Sequence, residues 1–201
     1  MTQHAGCEIL VVVHSVHGNT LSMAREIARG VEQVEGARAR LRSVEPITSA
    51  ITPRQGTLPD NGPALVEARD LEECAGLILG SPTRFGNMAS SVKHFLDGTA
   101  SEWFSGTLAG KPAAVFTSTG SMHGGQESTL LSMMIPLLHH GMLIVGLPYT
   151  EPTLSTTRTG GTPYGASHLA GSDSDRPLDD DEKRLCRVLG QRVANIAVKL
   201  A

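Results

Sequence analysis

Three short polar stretches, each directly behind an apolar run, carry the residue types of this chain best suited to bind a ligand. The first is Ser15-Val16-His17-Gly18-Asn19-Thr20, which follows Ile9-Leu10-Val11-Val12-Val13 and precedes a helical pattern. Strand, polar turn, helix is the arrangement that aims backbone N–H groups and a helix N-terminus at a phosphate. From His14 to Thr20 there is no Lys or Arg. A phosphate monoester would therefore rest on neutral N–H groups and the Ser15 and Thr20 hydroxyls, at about 1.5–3 kcal/mol per charge-assisted bond. The absence of GxxxxGK[ST] argues against a nucleoside triphosphate, and the absence of GxGxxG argues against a dinucleotide on this turn. A mononucleotide is the natural guest, and a plain capped helix start is the reading with no ligand.

The second stretch is Ser81-Pro82-Thr83-Arg84-Phe85-Gly86-Asn87-Met88, behind Ala75–Gly80. Pro82 stiffens it, Gly86 permits close approach, and Arg84 and Phe85 can stack along a flat ring. Phe85 equally suits the core beneath an ordinary strand-to-helix turn. The third stretch is Thr117-Ser118-Thr119-Gly120-Ser121-Met122-His123-Gly124-Gly125, small and polar enough to follow a polyol or a ring edge; His123 reads as loop surface. His139 ends a helical pattern and can hydrogen-bond to a substrate or to the last helix carbonyls. Trp103 stands in a loop, suited either to packing or to a planar ligand.

Alternating elements position these groups. Apolar residues at Leu21, Ala24, Ile27, Ala28, Val31 and Val34 fall on one helix face. Ala37–Arg42 alternates small or apolar with basic residues, as an edge strand does. Residues Ser43 to Pro63 read as loop, with a brief helical turn near Ala64–Arg69. Buried strands at Ala75–Gly80 and Lys111–Phe116 are each followed by a helix, and Met142–Leu147 reads as the last strand. The final helix begins in Asp179-Asp180-Asp181-Glu182, an acidic first turn that suits capping and the helix dipole. The pattern predicts an α/β, three-layer, doubly wound sheet of five parallel strands, with the three polar stretches on one edge.

The totals set bounds. Length and composition fit one domain over residues 1–201, with 148–178 as a long insertion after the last strand. A net charge of −3 supplies no basic patch for nucleic acid and no acidic surplus of the kind a docking electron carrier uses. The apolar runs are too short for an integral membrane segment, and no signal peptide is expected. Cys7, Cys74 and Cys186 lack CxxC spacing and read as reduced thiols of a cytoplasmic protein. No metal site is expected.

At these residues the sequence resembles the WrbA family, flavodoxin-like NAD(P)H:quinone oxidoreductases that bind FMN. The resemblance rests on Ser15–Thr20, Pro82–Met88, Ser118-Thr119-Gly120 through Gly124-Gly125-Gln126-Glu127, His139-His140-Gly141-Met142 and Gly160-Gly161-Thr162-Pro163-Tyr164-Gly165. It implies a flavodoxin-like strand order 2-1-3-4-5 and a homotetramer. It implies FMN-binding roles for Ser15, Val16, His17, Gly18, Asn19 and Thr20 at the phosphate. Pro82, Thr83, Arg84, Phe85, Gly86 and Asn87 would border the isoalloxazine, continued by Ser118, Thr119, Gly120, Ser121, Met122, His123 and Gly124. His139 would approach the ring, from its own or a neighbouring subunit, as the one catalytic side chain. Trp103 would line the place where nicotinamide and quinone alternate. His17 stands where many relatives carry Tyr, at a contact with the nicotinamide nucleotide.

The implied reaction is a two-electron, ping-pong transfer from NADH or NADPH to a quinone, protective against oxidative stress. The insertion would help form the subunit interface and wall the pocket with Tyr149 or Tyr164. Alternative readings are a one-electron flavodoxin-type carrier, a non-enzymatic flavin-binding regulator, and an azo or nitro reductase.

Overall fold

The apolar runs become the centre of a parallel sheet. A computed structural model describes residues 6–47 and 62–201. Strands β1 (Cys7–Val13), β3 (Gly76–Arg84) and β5 (Pro112–Thr119) pair side by side, with β2 (Ala37–Ser43) at one edge. Alternate residues of each strand face opposite sides, which is why both faces are apolar. Ile9, Val11, Val13, Ile78 and Phe116 pack beneath α1 (Asn19–Glu32) and α7 (Asp180–Leu200). Leu10, Val12, Leu77, Leu79 and Val115 pack beneath α3 (Ser90–Asp97) and α5 (Gln126–His139). This is the expected three-layer, doubly wound, flavodoxin-like arrangement.

The register is what builds an edge for a site. Val13 lies opposite Gly80, and Gly80 opposite Phe116. The polar stretches behind β1 and β5, and the far end of β3, therefore emerge side by side. Gly80 is required here, because a Cβ at that position would sit 2.0 Å from the Phe116 ring. Across α1 and α7, Gly30 and Gly190 allow a similarly close approach: a Cβ on Gly190 would lie 2.2 Å from the Ile27 carbonyl.

Four local expectations change. The Ala75–Gly80 strand continues to Arg84, then turns back through Phe85 and Gly86 into the short antiparallel β4 (Asn87–Met88). The Ser43–Pro63 loop falls largely on residues 48–61, outside the described residues; beyond it, α2 spans Ala68–Glu73 rather than Ala64–Arg69. The loop carrying Trp103 contains a short helix, α4 (Ala100–Phe104).

The fourth correction is that the insertion divides the fifth strand position instead of following it. Strand β6 (Leu143–Ile144) pairs with the start of β5, and the chain then leaves the sheet. Gly146 permits the departure, since a Cβ there would lie 2.2 Å from the Pro163 carbonyl, to which Leu147 donates. After α6 (Thr153–Thr156), the chain returns as β7 (Ala166–Leu169), paired with Phe116–Thr119. The sequence signal for β7 is weak because Ala-Ser-His-Leu is neither an apolar run nor a clear alternation.

What holds the returning segment is one buried carboxylate. Asp179 caps α7, and Glu182 completes the capping box, accepting from the Asp179 N–H at 3.1 Å. Glu182 also accepts from the Gly160 and Leu169 N–H groups, at 3.0 and 2.9 Å, and contacts His168 Nδ1 at 2.8 Å. The acidic cluster therefore caps its helix as its composition suggests, and Glu182 additionally ties the insertion to β7. A second pair, Glu151 with Arg184 at 2.7 and 3.1 Å, fastens α6 to α7.

Burial alone would push the Glu182 carboxyl up, but the His168, Leu169 and Asp179 hydrogen bonds outweigh it and hold it below the usual range. A folded-state value depressed in this way stabilises the fold above the ordinary Glu value of about 4.3. That stabilisation is lost as pH falls through the folded-state value. Glu182→Gln is expected to destabilise the protein by roughly 3 kcal/mol at pH 7, because it breaks a buried charged network. Urea unfolding at pH 7 and pH 4 tests this: the wild type should lose more stability than the variant between the two. An equal loss would assign the acid sensitivity to other carboxylates.

Candidate functional site

The turn behind β1 is built to leave donors free. Gly18, at φ 89°, is the N-cap of α1 and has no side chain with which to cap it. The Leu21 N–H is taken by Ser15 Oγ at 3.2 Å and the Ser22 N–H by the Gly18 carbonyl at 2.8 Å. Among the described residues, no acceptor meets the N–H groups of Asn19 and Thr20. Helix-end amides of this kind suit an anion.

The loop behind β3 is a hairpin. Its central residues, Phe85 and Gly86, both have positive φ, 52° and 75°, as in a type I′ turn. For Phe85 this conformation is strained, by about 1–2 kcal/mol. Its ring is 107% exposed, so the core-residue reading of Phe85 is set aside. The hairpin rests on the start of α5: a Cβ at Gly125 would lie 2.8 Å from Gly86 Cα. Thr83 Oγ1 bonds to Thr129 Oγ1 at 2.7 Å, joining β3 to α5. The third loop is held beside them by Thr117 Oγ1, which donates to the Ser81 carbonyl at 2.8 Å.

These contacts bring the three stretches to one cavity of ≈ 80 Å³, lined by Ser15, Val16, His17, Asn19, Thr20, Pro82, Thr83, Arg84, Ser118, Thr119 and Gly120. Gly18, the N-cap of α1, is not among its lining residues. Phe85, Gly86, Asn87, Ser121, Met122, His123 and Gly124 stand outside it, on the rim loops. His123 is surface, as its loop position suggests.

Two lining residues have no counterpart in the sequence reading: Ala170 and Ser174, from the loop behind β7. Asn19 Nδ2 donates to the Ser174 carbonyl at 2.8 Å, fastening the first turn to that loop. The signal available for it was a polar turn, Gly171-Ser172-Asp173-Ser174, but without a recognisable strand ahead of it. Tyr149 and Tyr164, suggested as pocket walls, line neither this cavity nor the cleft described next, and both are exposed.

Trp103 and His139 lie in a second, larger space. A cleft of ≈ 760 Å³ between α3, α4 and α5 is lined by Asn87, Lys93, Trp103, Ile135, His139 and His140, among others. Trp103 Nε1 donates to the His139 carbonyl at 2.8 Å, which fixes the indole at the C-terminal end of α5. Within one chain neither residue reaches the smaller cavity. The β3–β4 hairpin separates the two spaces, with Arg84 facing one and Asn87 the other.

Behind His139, Thr99 Oγ1 donates to the Leu96 carbonyl, so His140 Nε2 must donate to Thr99 at 2.9 Å. Its Nδ1 is then a buried acceptor without a partner. Burial first, and the neighbouring His139 in addition, hold the His140 value low, outweighing Glu102. His140 is therefore neutral at pH 7 and braces α4 against α5.

The donor set fits a phosphate monoester with a polyol: free amides, hydroxyls of Ser15, Thr20 and Ser118, and one cation, Arg84. The cavity is too small to enclose a three-ring system, since pockets that bury such ligands run to roughly 300–1,000 Å³. A flat ring attached to that phosphate would lie along the open edge formed by the second and third loops.

Residues 7–150 match the model of the family described as NADPH-dependent FMN reductase. A protein of Syntrophobacter fumaroxidans named NAD(P)H dehydrogenase (quinone) is 45% identical over 200 residues, 96% of this chain and 98% of that one. Its namesake from Chromohalobacter salexigens is 41% identical over 198 residues, again 96% and 98% of the two chains. The solved structure of a flavodoxin, WrbA-like protein from Agrobacterium tumefaciens superposes with a TM-score of 0.67 at 25% identity, covering 96% of this chain and 98% of that one. No helix among the described residues is long and apolar enough to cross a membrane. This chain belongs to the NADPH-dependent FMN reductase family.

Proposed function

We propose that this chain is a WrbA-type, FMN-dependent NAD(P)H:quinone oxidoreductase of the cytoplasm. The observation that carries the reading is the convergence of three polar loops on one phosphate-sized cavity, one hairpin away from a cleft holding Trp103 and His139. Bound FMN supplies the hydride chemistry, accepting from a nicotinamide nucleotide and delivering to a quinone. The full-length likeness to the two NAD(P)H dehydrogenases (quinone) supports that pair of substrates.

The protein's own groups bind and orient. Ser15, Thr20 and the amides of Asn19 and Thr20 hold the phosphate. Pro82, Thr83 and Ser118–Gly120 border the ring. The Trp103 indole, held at its Nε1 edge by the His139 carbonyl, offers a face on which a planar quinone or nicotinamide can stack. The His139 imidazole donates a hydrogen bond to the quinone oxygen and a proton as the hydroquinone forms. One place serving both planar substrates in turn requires the oxidised nucleotide to leave before the quinone enters.

The homotetramer belongs to the same proposal. In one chain the ring edge is open, and apolar side chains at the hairpin tip and on α4 and α5 lack cover: Phe85, Phe104 at 81% exposure, Ile135 at 59% and Leu138 at 57%. Apolar groups exposed together in this way mark an interface. A neighbouring subunit would close the ring edge and bring its cleft, with His139 and Trp103, over the flavin. The insertion joins this interface through the exposed Tyr149 and Tyr164.

Steady-state rates at varied NADPH and benzoquinone should give parallel double-reciprocal lines; intersecting lines would require both substrates to bind together and would end the shared-place reading. Trp103→Ala should raise the quinone KM about tenfold, the scale of a lost stacking contact, while the bound-flavin spectrum is unchanged. His139→Ala should instead lower kcat by roughly a hundredfold. Light scattering should report four chains for the wild type and a smaller species for Phe85→Ser. A wild-type monomer would refute the shared-site arrangement.

A further inference from the structure

The cavity behind β1 has thirteen lining residues, and Arg84 is the sole Lys or Arg among them. Arg84 as a residue is half-buried. Its hydrogen bond within the described residues runs from Nη1 to the carbonyl of the adjoining Thr83, at 2.8 Å. Arg40, Arg42, Arg176, Arg184 and Arg187 each sit against a carboxylate, whereas none of the described carboxylates lies within ion-pair distance of Arg84. A half-buried cation facing a polar cavity without a counter-charge is unfavourable until something anionic arrives.

The turn opposite has the complementary deficit. Its free amides and hydroxyls can hold an anion by hydrogen bonds, but none carries a charge, and a phosphate monoester brings nearly two negative charges at neutral pH. The histidine at the base of the turn does not make up the difference. His14 is 4% exposed, and burial first, with the nearby Arg84 second, keeps its imidazole below the ordinary value, hence neutral at pH 7.

We infer that Arg84 is the counter-ion of the cofactor phosphate, reaching across from β3 to a turn that has no cation of its own. It thereby sets the selectivity of the site for FMN over riboflavin, the same ring and polyol without the phosphate. This rests on the FMN reading above and moves Arg84 from the ring border, where its motif would put it, to the phosphate end. Lysine would keep the charge and lose the fork geometry; glutamine would keep hydrogen bonds and lose the charge.

The test is titration of FMN-stripped apoprotein with FMN and with riboflavin, followed by flavin fluorescence, for the wild type, Arg84→Gln and Arg84→Lys. The wild type should prefer FMN. Arg84→Gln should weaken FMN about 10- to 100-fold, the range of one charge-assisted bond, and leave riboflavin within about twofold; intact riboflavin binding also shows that the variant is folded. Arg84→Lys should recover most of the FMN affinity. Equal weakening of both flavins would put Arg84 at the ring or polyol and overturn the assignment. So would unchanged FMN binding in Arg84→Gln, or a Lys variant as weak as the Gln variant. A wild-type apoprotein that binds neither flavin would overturn the FMN reading itself, an outcome distinct from these.

Discussion

Parallel pairing in register is the constraint on which the rest of this structure depends. Val13, Gly80 and Phe116 lie across from one another, so the turn behind β1 opens at the level where β3 and β5 run on into Ser81–Arg84 and Thr117–Thr119. The pairing tolerates no side chain at Gly80, where the Phe116 ring occupies the space a Cβ would need. Backbone hydrogen bonding and apolar burial thus do the positioning, and the loops contribute little more than donors. This is the general logic of ligand binding at the carboxyl edge of a doubly wound sheet.

On that edge the β3–β4 hairpin partitions the chemistry. Its near side, through Thr83 and Arg84, faces a small polar cavity; its far side, through Asn87, faces a wide amphipathic cleft. The tip that divides them holds Phe85 in a strained, fully exposed conformation. An aromatic side chain kept there against both strain and hydration is consistent with a partner surface, and strain of this kind tends to gather at functional positions. The small polar cavity and the wide cleft are therefore adjacent but separately built.

The insertion is integrated by polar contacts more than by apolar ones. Glu182 draws the Gly160 and Leu169 amides and His168 onto the first turn of α7, and Asn19 reaches the Ser174 carbonyl on the far side of β7. A buried carboxylate with four partners is satisfied only in one arrangement, so the returning strand and the loop behind it have a defined place beside the turn that follows β1. The loop at Ala170–Ser174 becomes a wall of the cavity as a consequence.

The sequence by itself determined the layered α/β class, the three polar loops and their common edge, because those follow from local quantities: apolar runs, polar turns and helical periodicity. Ser15–Thr20, Pro82–Arg84 and Ser118–Gly120 could be named for that reason. Only the tertiary structure decided the rest. That β3 extends into a hairpin with Phe85 at its exposed tip depends on positive φ at two residues, one of which is not glycine. That Trp103 and His139 share a cleft apart from the cavity depends on one hydrogen bond between residues far apart in the chain. That the insertion splits the fifth strand position, and lends Ala170 and Ser174 to the site, depends on pairing between β5 and a segment with no strand-like composition. Residue type named Phe85, Trp103 and His139, but a backbone conformation, a hydrogen bond across 36 residues and a strand pairing are not properties of a one-dimensional pattern.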